Sequence, residues 1–326
     1  MPKVKWPRKG SLQFWHRARS KRTFARVRTW PQVNDNKPLG FAGYKVGMTH
    51  IIANDNKKSS TTKGMEIFYP VTIIECPPLK TASIRFYKNT NYGLNAVSQI
   101  FADNLDKELE RTIIFENKEK KKSEKNIPDD FDIVRLIVYT QPKLTGIGKK
   151  KPEIFEIGVG GNKEEQLNYA KNKLGKEITV DEVFKEGQQL DVHSVTKAKG
   201  VQGPVKRFGV SLKQHKSEKG VRRVGTMGSW NSQGHIMWRV AKAGKMGYHM
   251  RTEYNKWLLK IGKANEIINK SGFHNYGNVK NTFVMLKGSV MGGKKRLIRM
   301  NYPMRPNRKV PESAPAIVYN SLMAGN

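Results

Sequence analysis

The chain has 326 residues and a mass of 37.2 kDa, with 61 Lys and Arg against 27 Asp and Glu, a formal net charge of +34 and a pI near 10.2. A single cysteine, Cys76, excludes a disulfide framework and a cysteine zinc finger, and the longest apolar run, IVRLIVY at 133–139, is too short to span a bilayer and carries Arg135. A hydrophobic share of 37% is lower than in most globular chains and higher than in disordered ones, so part of the chain is expected to fold around a core and part to depend on a polyanionic partner.

From the N-terminus, residues 1–30 hold ten basic residues and no acidic one, and no apolar h-region, so no secretory signal is expected. Trp6, Phe14, Trp15, Phe24 and Trp30 interrupt the charge without a helix or strand period. Residues 1–37 therefore read as an extended arm, its aromatics suited to bases and its cations to phosphates. Trp30 and Phe41 are the exceptions, expected to pack on a folded body.

From residue 39 the pattern turns to strands. LGFAGYKVGMTHIIA is punctuated by Gly, and EIFYPVTIIECPP (66–78) and TASIRFYKN (81–89) are β-branched and aromatic, split by Pro77-Pro78. FDIVRLIVYTQP (131–142) and EIFEIGVGG (153–161) continue the series. Between them, 103–130 is expected to be a surface insertion with a helical start. Residues 163–174 carry the clearest helix signal: Asn162 as N-cap, Glu165 as its capping-box partner, Leu167, Ala170 and Leu174 on one face, and Gly175 as the stop. A shorter helix follows Thr179, with Glu182 as box partner, and QQLDVHSVT (188–196) reads as a strand.

The character changes at 197. Residues 197–256 hold nine Gly, fourteen basic and two acidic residues, with Phe208, Trp230, Trp238, Tyr248 and Tyr254 interspersed at no clear period. Apolar residues look too sparse there for a core, so this stretch is expected to be mobile until it meets a counter-charge. Strands resume near Trp257–Ile261, and 281–303 reads as a hairpin turning at Met291–Gly293. Residues 280–309 add nine basic residues and no acidic one. A nearly neutral body with basic segments points to insertion into nucleic acid.

Catalytic signals are absent from the pattern. Gly288-x4-Gly293-Lys294 has phosphate-loop spacing, but position 295 is Lys rather than Ser or Thr, and the segment lies between strand patterns rather than before a helix. No pair among the seven His has zinc-helix spacing. His50 and His193 read as satisfied barrel residues, while His215, His235 and His249 are candidates for hydrogen bonds to RNA. An RNA-modifying enzyme would need a cofactor pocket or catalytic cluster, and a DNA-compacting protein would bind duplex DNA equally well.

The stretch 193–256 resembles the signature of the universal large-subunit ribosomal protein L-three family. The matching residues are Val195-Thr196-Lys197-x-Lys199-Gly200-x-x-Gly203, Lys206-Arg207-Phe208-Gly209, Gly225-x-x-Gly228-Ser229-Trp230 and Ala243-Gly244-x-x-Gly247-Tyr248. The early Gly40-Phe41-Ala42-Gly43-Tyr44-Lys45-x-Gly47-Met48-Thr49 also resembles the family's first barrel strand, and Val201 departs from its usual aromatic. The basic N-terminal arm, the 103–130 insertion and the lack of a longer eukaryotic tail resemble the archaeal type.

The resemblance implies a mainly β chain with α/β elements: a translation-protein-type β-barrel body (38–196 plus 257–326), a basic N-terminal rRNA-binding arm (1–37) and a basic Gly-rich central extension (197–256). It implies a non-catalytic constituent of the cytoplasmic ribosome's large subunit, with no cofactor, metal, membrane or small-molecule substrate. Its partners would be large-subunit rRNA and neighbouring large-subunit proteins, and its roles early assembly and support of the peptidyl-transferase centre. Charge, aromatic placement and resemblance together mark Arg8, Lys9, Trp15, Arg17, Arg19 and Arg22 in the arm as rRNA contacts. In the extension they mark Lys197, Lys199, Lys206, Arg207, Arg222, Arg223, Trp230, Arg239, Lys245 and Arg251, and in the C-terminal segment Lys294, Lys295 and Arg296. Ser229, Trp230 and Asn231 would form a loop tip near the peptidyl-transferase centre.

Overall fold

A computed structural model describes residues 11–114, 127–128, 130–230, 234–267 and 271–321. Arg8, Lys9, Asn231 and the whole charged run at 118–126 therefore lie outside the described residues. The chain forms two compact units, Thr23–Ser194 with Arg251–Asn326, and Met1–Arg22 with Val195–Met250.

In chain order the first unit begins with β1 (Gly40–Asn54), β2 (Glu66–Glu75), β3 (Leu79–Thr90) and β4 (Gly93–Phe101). Then come β5 (Ile133–Tyr139), β6 (Ile154–Gly158), α1 (Lys163–Lys173), β7 (Glu177–Ile178), α2 (Val180–Val183) and β8 (Gln189–Val195). The second unit holds β9 (Val201–Gln202), α3 (Pro204–Phe208) and β10 (Gly244–Lys245). The chain returns through β11 (Met250–Gly262), β12 (Phe283–Lys287), β13 (Leu297–Asn301) and β14 (Ile317–Asn320). The strand at Trp257–Ile261 thus starts seven residues earlier than its apolar core suggested.

The order β13-β8-β11-β12-β2-β1, closed by pairing of β1 with β13, makes the barrel, and β14 extends it from β1. Closure depends on β1 being long enough to serve two partners on one edge. Gly40–Tyr44 pairs with β13 and Ile51–Ala53 with β14, while Tyr44–Asn54 runs along β2 with a bulge between Lys45 and Gly47. Gly43 is required at the crossing, because a Cβ there would stand 2.6 Å from both the Cys76 Sγ and the Glu75 carbonyl. Phe41, Tyr44, Val71, Ile73, Leu190, Val192, Leu258, Val284, Leu286 and Ile298 are buried, so each of the six strands of the closed ring contributes apolar side chains to the core.

A second sheet, β4-β3-β5-β6 with β7 on β3, lies beside the barrel in the same unit. Sequence reasoning ran its strands into the barrel. Pro77-Pro78, read as a turn between successive strands, instead marks where the chain leaves the barrel at β2 and enters the other sheet at β3; neither Pro can donate to a ladder. β4 went unread because its residues are mostly exposed and its apolar residues, Leu94, Ala96, Val97, Ile100 and Phe101, follow no strand alternation. α1 carries its capping box as expected, with Glu165 Oε2 accepting the Asn162 N–H at 3.0 Å, and Ala170 is buried on the apolar face. The insertion starts with a 3₁₀ turn, Lys107–Arg111, anchored by the buried Leu109.

The hairpin expected over 281–303 is absent. β12 pairs with β11 and β2, whereas β13 pairs with β8 and β1, so the two strands stand apart in the ring. Their link is a loop held from below by Lys45. Its buried Nζ donates to the carbonyls of Val290 and Gly292, the latter at 3.4 Å. The Gly288–Lys294 spacing is therefore a strand-to-strand connection, as its missing hydroxyl implied.

The arm read over 1–37 is not uniform. Ala25 and Val27 are buried and Phe24 packs on the core. Trp30 fits against Gly40 and Gly158, where a Cβ would meet its ring at 2.9 and 3.0 Å. Trp30 and Phe41 pack as expected, and residues 23–37 share their unit.

Candidate nucleic-acid interface

The unit made of 11–22 and 195–250 has a small core, contrary to the expectation that its apolar content was too sparse. α3 starts with Pro204, ends at Gly209 in the left-handed region (φ 69°) and presents the buried Phe208. Trp15 lies 5.1 Å from Phe208 and 5.5 Å edge-on to Trp238, and His16 stacks 6.2 Å from Trp238. Aromatic pairs in this range add stability beyond area burial.

Two arginines close this cluster. Arg17 lies 4.5 Å over the Phe208 ring and donates to the carbonyls of Phe14 at 3.0 Å, Ser11 at 3.2 Å and Arg207 at 3.4 Å. Arg207 lies 4.9 Å over the same ring and donates to the carbonyls of Lys242 and Lys245, each at 3.0 Å. Burial, then the nearby Arg17 charge, lowers the Arg207 pKa. Trp15, Arg17 and Arg207, read as RNA contacts, thus bind their own chain and shape the surface.

His249 does the same. Its ring is buried; Nδ1 is 2.9 Å from the Ala18 carbonyl, and Nε2 accepts the Gly247 N–H at 3.2 Å. These partners select the neutral tautomer with Nδ1 protonated. It is a fastener of the N-terminal segment, not the RNA ligand expected of it, whereas His215 and His235 are exposed.

Most of the remaining described cations of this unit face outward. Arg19, Arg22, Lys197, Lys199, Lys206, Arg222, Arg223, Arg239 and Lys245 are exposed, on a surface where Glu218 is the one acidic residue of 195–250. Trp230 is 65% exposed, an unusual state for the largest apolar ring, and Ser229 beside it is exposed as well. Such a surface offers phosphate charges and a stacking plane together.

In the other unit Lys294 and Lys295 are exposed and Arg251 and Arg296 half-buried. Lys294 Nζ donates to the His274 carbonyl at 2.6 Å, Lys295 adopts φ 66°, and Arg296 donates to the Thr23 carbonyl at 3.2 Å. Two cations counted in this basic segment turn inward. Arg299 is buried, donates to the Ala25 carbonyl at 3.3 Å and the Glu156 carbonyl at 2.5 Å, and stacks 4.4 Å over Phe155; burial lowers its pKa to about 9. Lys287 lies 3.9 Å over Tyr69, and burial, then the Lys57 charge, lowers its pKa to about 8. All five residues of β13 are buried, so strand alternation, which would set Arg299 toward solvent, gave no signal for it. His50 stacks on Phe68 at 5.0 Å, and His193 Nδ1 is 2.8 Å from the Thr252 hydroxyl, so both serve the barrel.

Among the described residues no group of three His, Cys, Asp or Glu could hold a metal ion, and no helix is long and apolar enough to cross a membrane. A model of the Ribosomal protein L3 family matches residues 1–320. A relative named large ribosomal subunit protein uL3 from Archaeoglobus fulgidus is 48% identical over 307 residues, 92% of each chain. Proteins of the same name from Methanosphaera stadtmanae and Methanocaldococcus jannaschii are 49% and 46% identical, over 97% and 94% of this chain and 96% and 94% of theirs. With motifs, barrel and end-to-end similarity in agreement, the chain belongs to the ribosomal protein L3 family.

Proposed function

We propose that the chain is a structural constituent of the large ribosomal subunit, bound to its rRNA in the cytoplasm beside neighbouring large-subunit proteins, and that it is not an enzyme. The reading is carried by the outward cations of residues 195–250 around an exposed Trp230 in a chain of this family. Arg8, Lys9, Arg19, Arg22, Lys197, Lys199, Lys206, Arg222, Arg223, Arg239, Lys245, Arg251, Lys294, Lys295 and Arg296 supply phosphate contacts. Trp15, Arg17 and Arg207 hold the shape that presents them. Ser229, Trp230 and Asn231 form the tip that approaches the peptidyl-transferase centre, through which the protein supports that centre's conformation. Of the segments 1–37 and 197–256, the parts outside the barrel's unit, 1–22 and 197–250, act as RNA-embedded arms, while 23–37 and 251–256 belong with the body, and placement of the arms before the RNA closes makes the protein an early assembly factor.

The test is retention of the tagged chain on large subunits through a high-salt wash, with footprinting of the rRNA. Counterion release makes free-RNA affinity fall steeply with salt, while an embedded arm is retained. Release at moderate salt, or equal competition by duplex DNA, would sink the reading.

A further inference from the structure

Between the β9–β10 ladder and the N-terminal segment of the basic unit lies a cavity of about 460 Å³, within the range of small-ligand sites. Its lining is mostly apolar, with Val201, Met246 and Tyr248 supplying side chains and the exposed Arg19 and Lys245 supplying charge. Val201 is 72% exposed, a β-branched apolar residue standing open among Lys197, Lys199 and Lys245. Gly200, also in the lining, has nothing within 4 Å of where a Cβ would be. The cavity is thus roomy, apolar in its walls and cationic in its charge.

Its shape is set by the chain's own hydrogen bonds. Lys199 N–H donates to Met246 at 2.9 Å and Met246 N–H to Gly200 at 2.8 Å, while Tyr248 N–H donates to Lys197 at 3.3 Å and Ser20 N–H to Tyr248 at 2.8 Å. Tyr248 is held at φ 56°, a conformation few non-glycine residues adopt and one that marks sites where surroundings impose it. Gly247 beside it has φ 80° and would place a Cβ 1.9 Å from the Lys197 carbonyl, so the turn admits no other residue. The Arg19 guanidinium lies 5.8 Å from the Tyr248 ring centroid.

We propose that this cavity receives one unpaired nucleotide of large-subunit rRNA, its base against Val201, Met246 and Tyr248 and its phosphates toward Arg19 and Lys245. A phosphate alone needs no apolar wall, and an apolar side chain of a neighbouring protein needs no pair of cations. An unstacked nucleotide combines an apolar π face with an anionic backbone, and matches both. The inference rests on the rRNA-binding reading and adds a base-binding site to it.

Ultraviolet cross-linking of intact large subunits, followed by mass spectrometry, should give an adduct between one nucleotide and Tyr248 or Met246. In subunits carrying Val201→Glu, the base of that same nucleotide should become about tenfold more reactive to a base-modifying probe, the scale of one lost stacking contact. Val201 is exposed, so the substitution spares the fold, and the wild-type cross-link does not depend on it. A cross-link from the cavity to a neighbouring protein, or adducts elsewhere on residues 195–250 with none at the cavity, would overturn the proposal. So would unchanged base reactivity in the variant. Those outcomes leave rRNA binding standing; loss of the wild-type chain from salt-washed subunits would instead remove the broader reading.

Discussion

Trp230 and Asp55 mark the two extremes of what single residues do in this chain. Trp230 is 65% exposed, which leaves most of its ring open to solvent. Trp230→Ala should leave the denaturation midpoint of the free protein unchanged within about 0.5 kcal/mol, as exposed substitutions do. In assembled subunits it should alter tRNA accommodation or sensitivity to peptidyl-transferase inhibitors, with chemical probing of the rRNA changed around that centre. Changes confined to the barrel's footprint would contradict this. Asp55 is buried just past the end of β1, where Thr62 and the Lys57 N–H donate to it. Ser60 first, then Thr62 and the Lys57 N–H, hold its pKa at about 2, against desolvation that raises it. A carboxylate depressed in the folded state stabilises above its unfolded pKa near 3.8 and loses that contribution as pH falls toward 2. Asp55→Asn should flatten this part of the acid-stability curve, and thermal melts between pH 5 and pH 2 would record it.

Elements were legible where their signal is local. α1 announced itself through Asn162 and Glu165, and β5 through an apolar run long enough for the centre of a sheet. Partnering was not legible. Phe283–Lys287 and Leu297–Asn301 flank a Gly-Gly pair and mimic a hairpin, yet barrel closure gives each strand different neighbours. The aromatic cluster was hidden for the same reason, since Trp15, Phe208 and Trp238 share no window of sequence. The positive-φ turn at Gly247 and Tyr248 packs on Lys197 and ties Ser20 of the N-terminal segment to the basic unit. Gly247→Ala would bring a Cβ against the Lys197 carbonyl in a disfavoured conformation, a loss of about 2–4 kcal/mol to that unit. Limited proteolysis should then cut within 195–250 faster than in the wild type while the barrel melts at its usual temperature. A fall in both would mean that the turn supports the whole molecule.

At the scale of the whole molecule, the charge census overstated the outward field and understated the order of the basic segments. Arg299 and Lys287 turn inward, and Arg17 and Arg207 are spent on carbonyls and the Phe208 ring. What remains exposed still repels itself, so stretches without a core need phosphate to settle. Residues 210–230 have little beyond a few turns, such as Lys213 N–H to the Val221 carbonyl at 3.0 Å. Residues 204–208 and 241–249 instead carry buried Phe208, Ala241 and His249. Hydrogen exchange on the isolated protein should therefore resolve three classes. Amides of Val134–Tyr139 and Val71–Ile74 should be slowest, because their opening requires loss of a buried sheet. Those of α3 and the β9–β10 ladder should be intermediate, protected by a core too small to match the barrel's. Those of 210–230 should exchange near the unfolded rate and slow only on the subunit, where counterion release and stacking offset an ordering cost of about 1–2 kcal/mol per residue. Protection of 210–230 equal to that of the barrel would show that the extension folds without RNA, and early threading into the assembling subunit would lose its physical basis.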